Sequence, residues 1–115
     1  MDEIEYVYLL QEREFVHSNK NIYKIGKTKK PNFSRFQKYP KDSKLIYHAE
    51  CPNCDEAEKE IMKLFDDKYN NRKDIGREYY EGCKLSMYKD IFDISYKYLE
   101  IDKKNKIAEE EKQKK

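Results

Sequence analysis

A predicted β-strand begins at residue 22, where the sequence is Ile22-Tyr23-Lys24-Ile25-Gly26-Lys27-Thr28. Branched and aromatic side chains favour this extended backbone. Because side chains alternate along a strand, Lys24 shares one face with Gly26, and Tyr23 points to the other face. A second run of aromatic and branched residues lies at 6–10, across a polar loop. The two strands are therefore predicted to pair in antiparallel fashion.

Further along the chain, the pattern predicts one more strand and three helices. The strand lies at 44–50, and a short helix capped by Asn32 precedes it. A long helix begins after Asn53, which stands three residues before Glu56 in a capping-box arrangement. Ser86 is the predicted cap of the last helix.

These elements indicate an α+β fold. Residues 76–82 complete it as a turn or a short strand, and 115 residues have room for one domain. We place that single domain at residues 1–98. A charged C-terminal tail, either helical or disordered, is expected at 99–115.

The charge of the chain is arranged in blocks that its total conceals. Lys and Arg number 25 against 23 for Asp and Glu, a formal charge of +2, which excludes a uniformly basic binder. Residues 20–44, however, hold nine basic side chains and one acid, a net charge of +8, with aromatic residues between them. Such a block is expected of a surface that meets phosphates, although a lysine-rich solvated face has the same composition.

The composition also indicates the compartment. No stretch of about 18 apolar residues is present, and the first residues are acidic where a signal peptide carries positive charge. Three cysteines in so short a chain argue against a secreted disulfide scaffold. We therefore expect an intracellular protein in a reducing compartment, with no membrane partner.

Glu58 interrupts the apolar face of the long helix. At about 100° per residue it projects between Phe65 and Met62, whereas the other acids of this helix lie outside the apolar arc or at its edge. An unpaired carboxylate on an apolar face is costly, so Glu58 is predicted to have a partner. That partner is either a cation or metal in a functional site, or a lysine that pairs with a glutamate at the rim of the core.

The order of these features resembles that of the GIY-YIG nuclease superfamily, over roughly residues 5–92. The resemblance rests on a first strand with Val7-Tyr8, a second with Lys24-Ile25-Gly26, a helical Arg35, and Glu58 followed by Ile61-Met62. Residues 76–82, with the sequence GREYYEG, are similar to a stretch of the branch found in phages and large DNA viruses.

The resemblance implies a small three-stranded antiparallel sheet flanked by helices, and an enzyme that hydrolyses phosphodiester bonds in DNA. It implies one divalent ion, Mg²⁺ or Mn²⁺, held by Glu58. Tyr8 would orient or deprotonate water, and Arg35 would neutralise charge in the transition state. The expected nucleic-acid contacts come from Lys24, Gly26, Lys27, Lys29, Lys30 and Lys38. The residues do not distinguish DNA from RNA.

Two positions depart from the pattern of that superfamily. Lys24 stands where the second motif has tyrosine, and Tyr6 stands where the first motif has glycine. Tyr23 cannot replace the missing tyrosine because it faces the other side of its strand. Lys24 is therefore either a catalytic or phosphate-binding group, or a solvated lysine.

Two hypotheses of function follow from these departures. The first is a metal-dependent endonuclease, and the second is a catalytically weak or inactive nucleic-acid-binding or regulatory module on the same fold. A protein-interaction domain without a nucleic-acid role is the third possibility.

His48, Cys51 and Cys54 have a spacing found among zinc ligands, with Cys83 as a fourth candidate. Only one Cys-x-x-Cys pair is present, however, and it lies where a helix begins. His48 and Cys51 would also face opposite sides of one strand. The sequence therefore favours reduced thiols in the turn before a helix over a zinc site.

Overall fold

The computed structural model describes residues 4–29 and 39–113. Along this part of the chain the strands are β1 (Tyr6–Gln11), β2 (Ile22–Thr28), β3 (Lys44–Glu50), β4 (Asn70–Asn71) and β5 (Tyr79–Glu81), and the helices are α1 (Arg13–His17), α2 (Cys54–Lys68) and α3 (Lys84–Gln113). The short helix that was expected after Asn32 falls outside the described residues. None of the three described helices combines the length and the apolar character needed to cross a membrane.

The strands form one antiparallel sheet in the order β3-β1-β2-β5-β4. The α+β class is confirmed, whereas the expected sheet of three strands is wrong. β4 and β5 add two strands of two and three residues, which are too short to show the alternation by which a strand is recognised in a sequence. The three predicted strands are all present, and β5 lies within residues 76–82.

Alternation gives the sheet two chemically different faces. One face packs against α2 and α3 and is called the helix face; it carries Val7, Leu9, Tyr23, Ile25 and Tyr80. The opposite face is called the tyrosine face; it carries Tyr8, Lys24, Gly26 and Tyr79. Tyr23 is 3% exposed in the core, so the structure places it and Lys24 on opposite faces, as the alternation predicts.

The long helix α2 supplies the other side of the core. Its apolar face is buried at Ala57, Ile61 and Phe65, as the helical spacing predicts. The Phe65 ring meets the rings of Tyr69 and Tyr80 edge-on, with centroids 4.9 and 5.3 Å away. Edge-to-face rings at this distance attract each other beyond the area they bury. Tyrosine rings therefore supply part of the core of a chain in which only 37% of the residues are hydrophobic.

The end of α2 is joined to α3 by a polar contact. Asp90 on α3 is 8% exposed, and its carboxylate accepts bonds of 2.8 and 2.9 Å from Lys68 Nζ and one of 2.7 Å from the Tyr69 hydroxyl. The Tyr69 hydroxyl also lies 2.5 Å from Ser86 Oγ. Ser86 thus joins this cluster, and α3 begins two residues before the cap position that the sequence predicts.

The described part of the C-terminal tail is helical. α3 continues to Gln113, and its residues from 103 to 110 are exposed. Residues 99–113 are thus helical, while the division into a domain at 1–98 and a tail at 99–115 stays a prediction.

The start of α2 is capped by a residue distant in the sequence. The expected capping box is wrong, because Asn53 adopts a left-handed backbone with φ 59° and its side chain makes no cap bond. Glu5 takes that role: its carboxylate accepts bonds from the backbone N–H groups of Asn53 and Cys54, at 3.1 and 3.3 Å. A carboxylate at this end also suits the helix dipole.

Replacing Glu5 with Ala should destabilise the protein by about 1 kcal/mol, because two backbone donors at the start of α2 lose their acceptor. Urea unfolding measures the change as a lower midpoint with an unchanged slope. Glu100→Ala, on an exposed part of α3, is the matched control and should leave the midpoint in place. Equal midpoints for Glu5→Ala and wild type would contradict the capping role.

Candidate functional site

The tyrosine face is built around close packing of Tyr8 on Gly26. The two residues lie opposite each other on β1 and β2. A Cβ atom at position 26 would lie 2.2 Å from Tyr8 Cζ, closer than real Cβ contacts allow. Glycine at this position therefore makes room for the ring, and Tyr8 is 1% exposed as a result of its packing.

A second tyrosine and a lysine complete this arrangement. The hydroxyl oxygens of Tyr8 and Tyr39 are 3.1 Å apart, within hydrogen-bond distance. Lys24 Nζ lies 5.2 Å from the centroid of the Tyr39 ring and 5.8 Å from that of Tyr79. Both distances are within the range of a cation–π contact. Lys24 is thus held against two rings, in contrast to the solvated lysine of the alternative interpretation.

Tyr79 is a hydrogen-bond donor in this cluster. Its hydroxyl donates to Glu12 Oε1 over 2.5 Å, and its ring meets that of Phe15 edge-on. Burial and the bond to Glu12 both raise the pKa of Tyr79 above its ordinary value. Tyr79 therefore stays protonated near neutral pH, which makes it unsuitable as a base.

Glu58 forms part of an ionic cluster at the end of β2. Lys27 Nζ lies 2.9 Å from Asp55 Oδ1 and 3.4 Å from Glu58 Oε1, and the Glu58 side chain is only 17% exposed. The hydrogen bond to Asp55, with a smaller effect from Glu58, raises the pKa of Lys27. The same bond lowers the pKa of Asp55. The predicted partner of Glu58 is therefore found, and in this structure it is a lysine.

The same two carboxylates have the chemistry that a divalent cation needs. Within residues 4–29 and 39–113, no three His, Cys, Asp or Glu side chains converge on one point. Mg²⁺, however, is commonly held by one or two carboxylates, with water and substrate phosphates as its other ligands. Asp55 and Glu58 already converge on one positive charge, so this pair fits such an ion.

The two groups of residues lie on opposite faces of β2 and adjoin each other along the strand at Gly26 and Lys27. Lys27 lies opposite Val7 and so points to the helix face, while Gly26 before it belongs to the tyrosine face. β5 pairs with β2 along residues 22–24, and no described strand continues that pairing along 26–28.

The predicted basic residues are only partly described. Lys29 is exposed and its Nζ lies 3.6 Å from Asp55 Oδ2, beside Lys27. Arg35, Lys30 and Lys38 lie outside the described residues. The structure therefore brings Tyr8, Gly26 and Lys24 together on the tyrosine face, and it brings Glu58, Lys27 and Lys29 together around Asp55 on the opposite side of β2.

Three residues near these groups were missed by the sequence interpretation. They are Tyr39, Asp55 and Glu12, and the sequence patterns predict no site role for any of them. The available signal was clearest for Asp55, because side chains three residues apart on a helix are neighbours and Glu58 follows it by three. Nothing comparable links Tyr39 or Glu12 to β2 in the sequence.

The cysteines have structural positions. Cys51 and Cys54 are buried, and Cys54 Sγ donates to Glu5 Oε1 over 3.2 Å. Burial, reinforced by nearby carboxylates, raises the pKa of each thiol to about 12. His48 is exposed on β3 and meets the ring of Tyr6, on the tyrosine face. The thiols are thus protonated near neutral pH in this structure.

Comparison with known proteins identifies the family of the chain. The family model described as the T5orf172 domain matches residues 5–99, which include every described residue of both groups above. No curated protein and no solved structure matches the chain.

Proposed function

Since the chain belongs to the T5orf172 domain family, we propose that it is a metal-dependent endonuclease that hydrolyses phosphodiester bonds in DNA. The family is phage-associated and is typically linked to nuclease-type domains. A role in binding or cutting nucleic acid is consistent with that membership. The resemblance to GIY-YIG nucleases supports the more specific proposal of a hydrolytic site.

The observation that carries this proposal is the convergence of Asp55 and Glu58 on one cation at the end of β2. A phosphodiester is negatively charged, so its hydrolysis needs a cation that neutralises this charge. Two carboxylates that hold a cation beside the lysines of β2 would supply that cation to the substrate. On the opposite side of β2 lies the tyrosine face, with the hydroxyl groups of Tyr8 and Tyr39 and the ammonium of Lys24.

Each residue has a definite role in the proposed site. Glu58, with Asp55, would hold Mg²⁺ or Mn²⁺, and such an ion polarises a phosphoryl oxygen. Lys24, Lys27 and Lys29 would bind the phosphate backbone as point charges. The hydroxyl groups of the tyrosine face would orient water. Arg35 is proposed to neutralise charge in the transition state.

Replacing Glu58 with Ala should lower the rate of cleavage of supercoiled plasmid in Mg²⁺ or Mn²⁺ by about 10²–10³-fold, the usual effect of removing one transition-state contact. Glu56→Ala is the matched control, because Glu56 lies on the same helix and its side chain is 58% exposed and paired only with Lys59 within the described residues. The cleavage rate of this control should stay within about twofold of wild type.

Equal cleavage rates in Glu58→Ala and Glu56→Ala would show that Glu58 holds no catalytic metal. Circular dichroism and thermal unfolding of both variants separate a loss of catalysis from a loss of folding. A Glu58→Gln variant, which keeps the shape of the side chain, should lose cleavage to a similar extent.

The alternative is a nucleic-acid-binding or regulatory module that does not cut. Lys24 in place of the second-motif tyrosine favours it, as does Lys27, which already neutralises Glu58. Under this alternative the wild-type protein binds DNA without cleaving it in either metal. Binding should then weaken with salt, and Lys29→Ala should reduce the salt slope by about one.

A further inference from the structure

Tyr6 and His48 form an aromatic pair on the tyrosine face of the sheet. Tyr6 lies two residues before Tyr8 on β1, and His48 lies directly opposite Tyr8 on β3, so all three side chains point to the same side. The ring centroids of Tyr6 and His48 are 6.1 Å apart, and the ring planes meet at 68°. Tyr6 is half-buried and His48 is exposed, so solvent reaches this pair, whereas the Tyr8 ring beside it is 1% exposed.

Tyr6 is also a position to which the proposed site assigns no role. It stands where the first motif of the GIY-YIG nucleases has glycine, a residue without a side chain to offer a ligand. The core that packs against α2 and α3 lies on the helix face, so the Tyr6 ring belongs to the other side of the sheet. The chain therefore places a ring beside Tyr8 where the motif has none.

Rings on an open sheet face provide a surface on which unpaired bases stack, and tyrosine and histidine both serve in this way. Such surfaces work together with positive charge that follows the phosphate backbone. Lys24 supplies that charge on the tyrosine face, where it lies opposite Leu10, four residues along β1 from Tyr6. A nucleic-acid strand laid along β1 would thus meet rings at one end of this face and an ammonium at the other.

From this arrangement we infer that Tyr6 and His48 stack an unpaired base of the substrate, so that the preferred substrate is DNA with an unpaired nucleotide beside the phosphate that is cut. The inference rests on the proposed function and names its substrate class. A base inside a perfect duplex must first leave its stack and its partner, and this costs least for a base that is already unpaired.

Two DNA duplexes that differ by one unpaired base test this inference. In Ca²⁺, the wild-type protein should bind the duplex with the unpaired base about 10-fold more tightly than the fully paired one, as expected for one base stacked on a ring. Tyr6→Val removes the ring but suits a strand, so this preference should disappear. Tyr6→Phe should keep the preference within about twofold, because stacking needs the ring and not the hydroxyl.

Tyr96→Ala is the matched control, because Tyr96 on α3 is 53% exposed and also belongs to an aromatic pair, with Phe92 at 5.9 Å. It should bind both duplexes like wild type. Tyr6→Val removes no charge, so its affinity should depend on salt as steeply as that of wild type, in contrast to Lys29→Ala. A salt slope lower by about one in Tyr6→Val would mean that a phosphate contact was lost instead of a stack, and would overturn the inference.

Photo-cross-linking tests the same contact in the wild-type protein, and so does not require that Tyr6→Val folds. 5-Iododeoxyuridine, placed as the unpaired base, cross-links under ultraviolet light to aromatic side chains against which it lies. Peptide mass spectrometry should locate the cross-link at Tyr6 or His48. A cross-link located only at other residues would overturn the inference.

These measurements let the inference and the proposed function fail separately. A preference for the unpaired base that disappears in Tyr6→Val, in a protein that cuts no DNA, supports the stacking and contradicts the endonuclease. Equal binding of both duplexes by wild type, or full preference in Tyr6→Val, would overturn the inference even if plasmid is cleaved. A protein that binds neither duplex would contradict both.

Discussion

Gly26→Ala should destabilise the protein by about 3 kcal/mol, at the upper end of the usual cost of adding a methyl group to a filled site. The added Cβ would lie 2.2 Å from Cζ and 2.3 Å from the hydroxyl oxygen of Tyr8. The obstacle is an aromatic ring that is 1% exposed, so it cannot swing away into solvent. The proposed DNA cleavage should be lost as well, because the displaced ring carries the hydroxyl that contacts Tyr39.

A double-mutant cycle checks that the clash with Tyr8 is the cause. Tyr8→Ala removes the ring that the new methyl group meets, so the double variant Tyr8→Ala, Gly26→Ala should be more stable than the two single losses together predict. The free energy of unfolding in urea measures all four proteins. If the two losses simply add, the cost of Gly26→Ala has another origin.

Phe65→Ala should destabilise the protein by roughly 3–5 kcal/mol, the usual range for deleting a fully buried aromatic ring. Phe65 is 0% exposed, and its ring meets both Tyr69, which precedes β4, and Tyr80 on β5. Without the Phe65 ring, the short strands β4 and β5 would lose the packing contacts that Tyr69 and Tyr80 make with it. Thermal and urea unfolding should show the loss directly.

Phe92→Ala is the control for this prediction. Phe92 is also on a helix and also stacks on a tyrosine, Tyr96, at 5.9 Å, but it is 53% exposed. Its loss should change the free energy of unfolding by less than about 1 kcal/mol. Similar losses in Phe65→Ala and Phe92→Ala would mean that the three-ring contact does not stabilise the core.

The longer elements could be predicted because their periodic patterns are local. β2 is a run of seven residues with several branched and aromatic side chains, and α2 repeats its apolar residues at helical spacing, so each pattern is visible without knowledge of the fold. β4 and β5 have two and three residues and depend on pairing with β2 and with each other. Their existence is decided by those neighbours, which a local pattern cannot reveal.

The candidate site was predictable to a similar extent. Glu58 was detected because a carboxylate on an apolar arc violates the pattern of its own helix. The identity of its partner was left open, because Lys27 reaches it only when β2 packs against α2. The cap of α2 was predicted wrongly for the same reason, since Glu5 lies 48 residues before Asn53.

The sequence by itself determined the α+β class, the three main strands, the course of α2 and the opposite facing of Tyr23 and Lys24, because all of these follow from spacing within one element. Only the tertiary structure decided that Glu5 caps α2, that Lys27 neutralises Glu58, and that Tyr39 joins Tyr8. The physical reason is that each of these is a contact between side chains far apart in the chain. Such contacts depend on the register and packing of whole elements. Gly26 is an example: its lack of a side chain leaves room for the Tyr8 ring, but only the pairing of β1 with β2 places that ring over it.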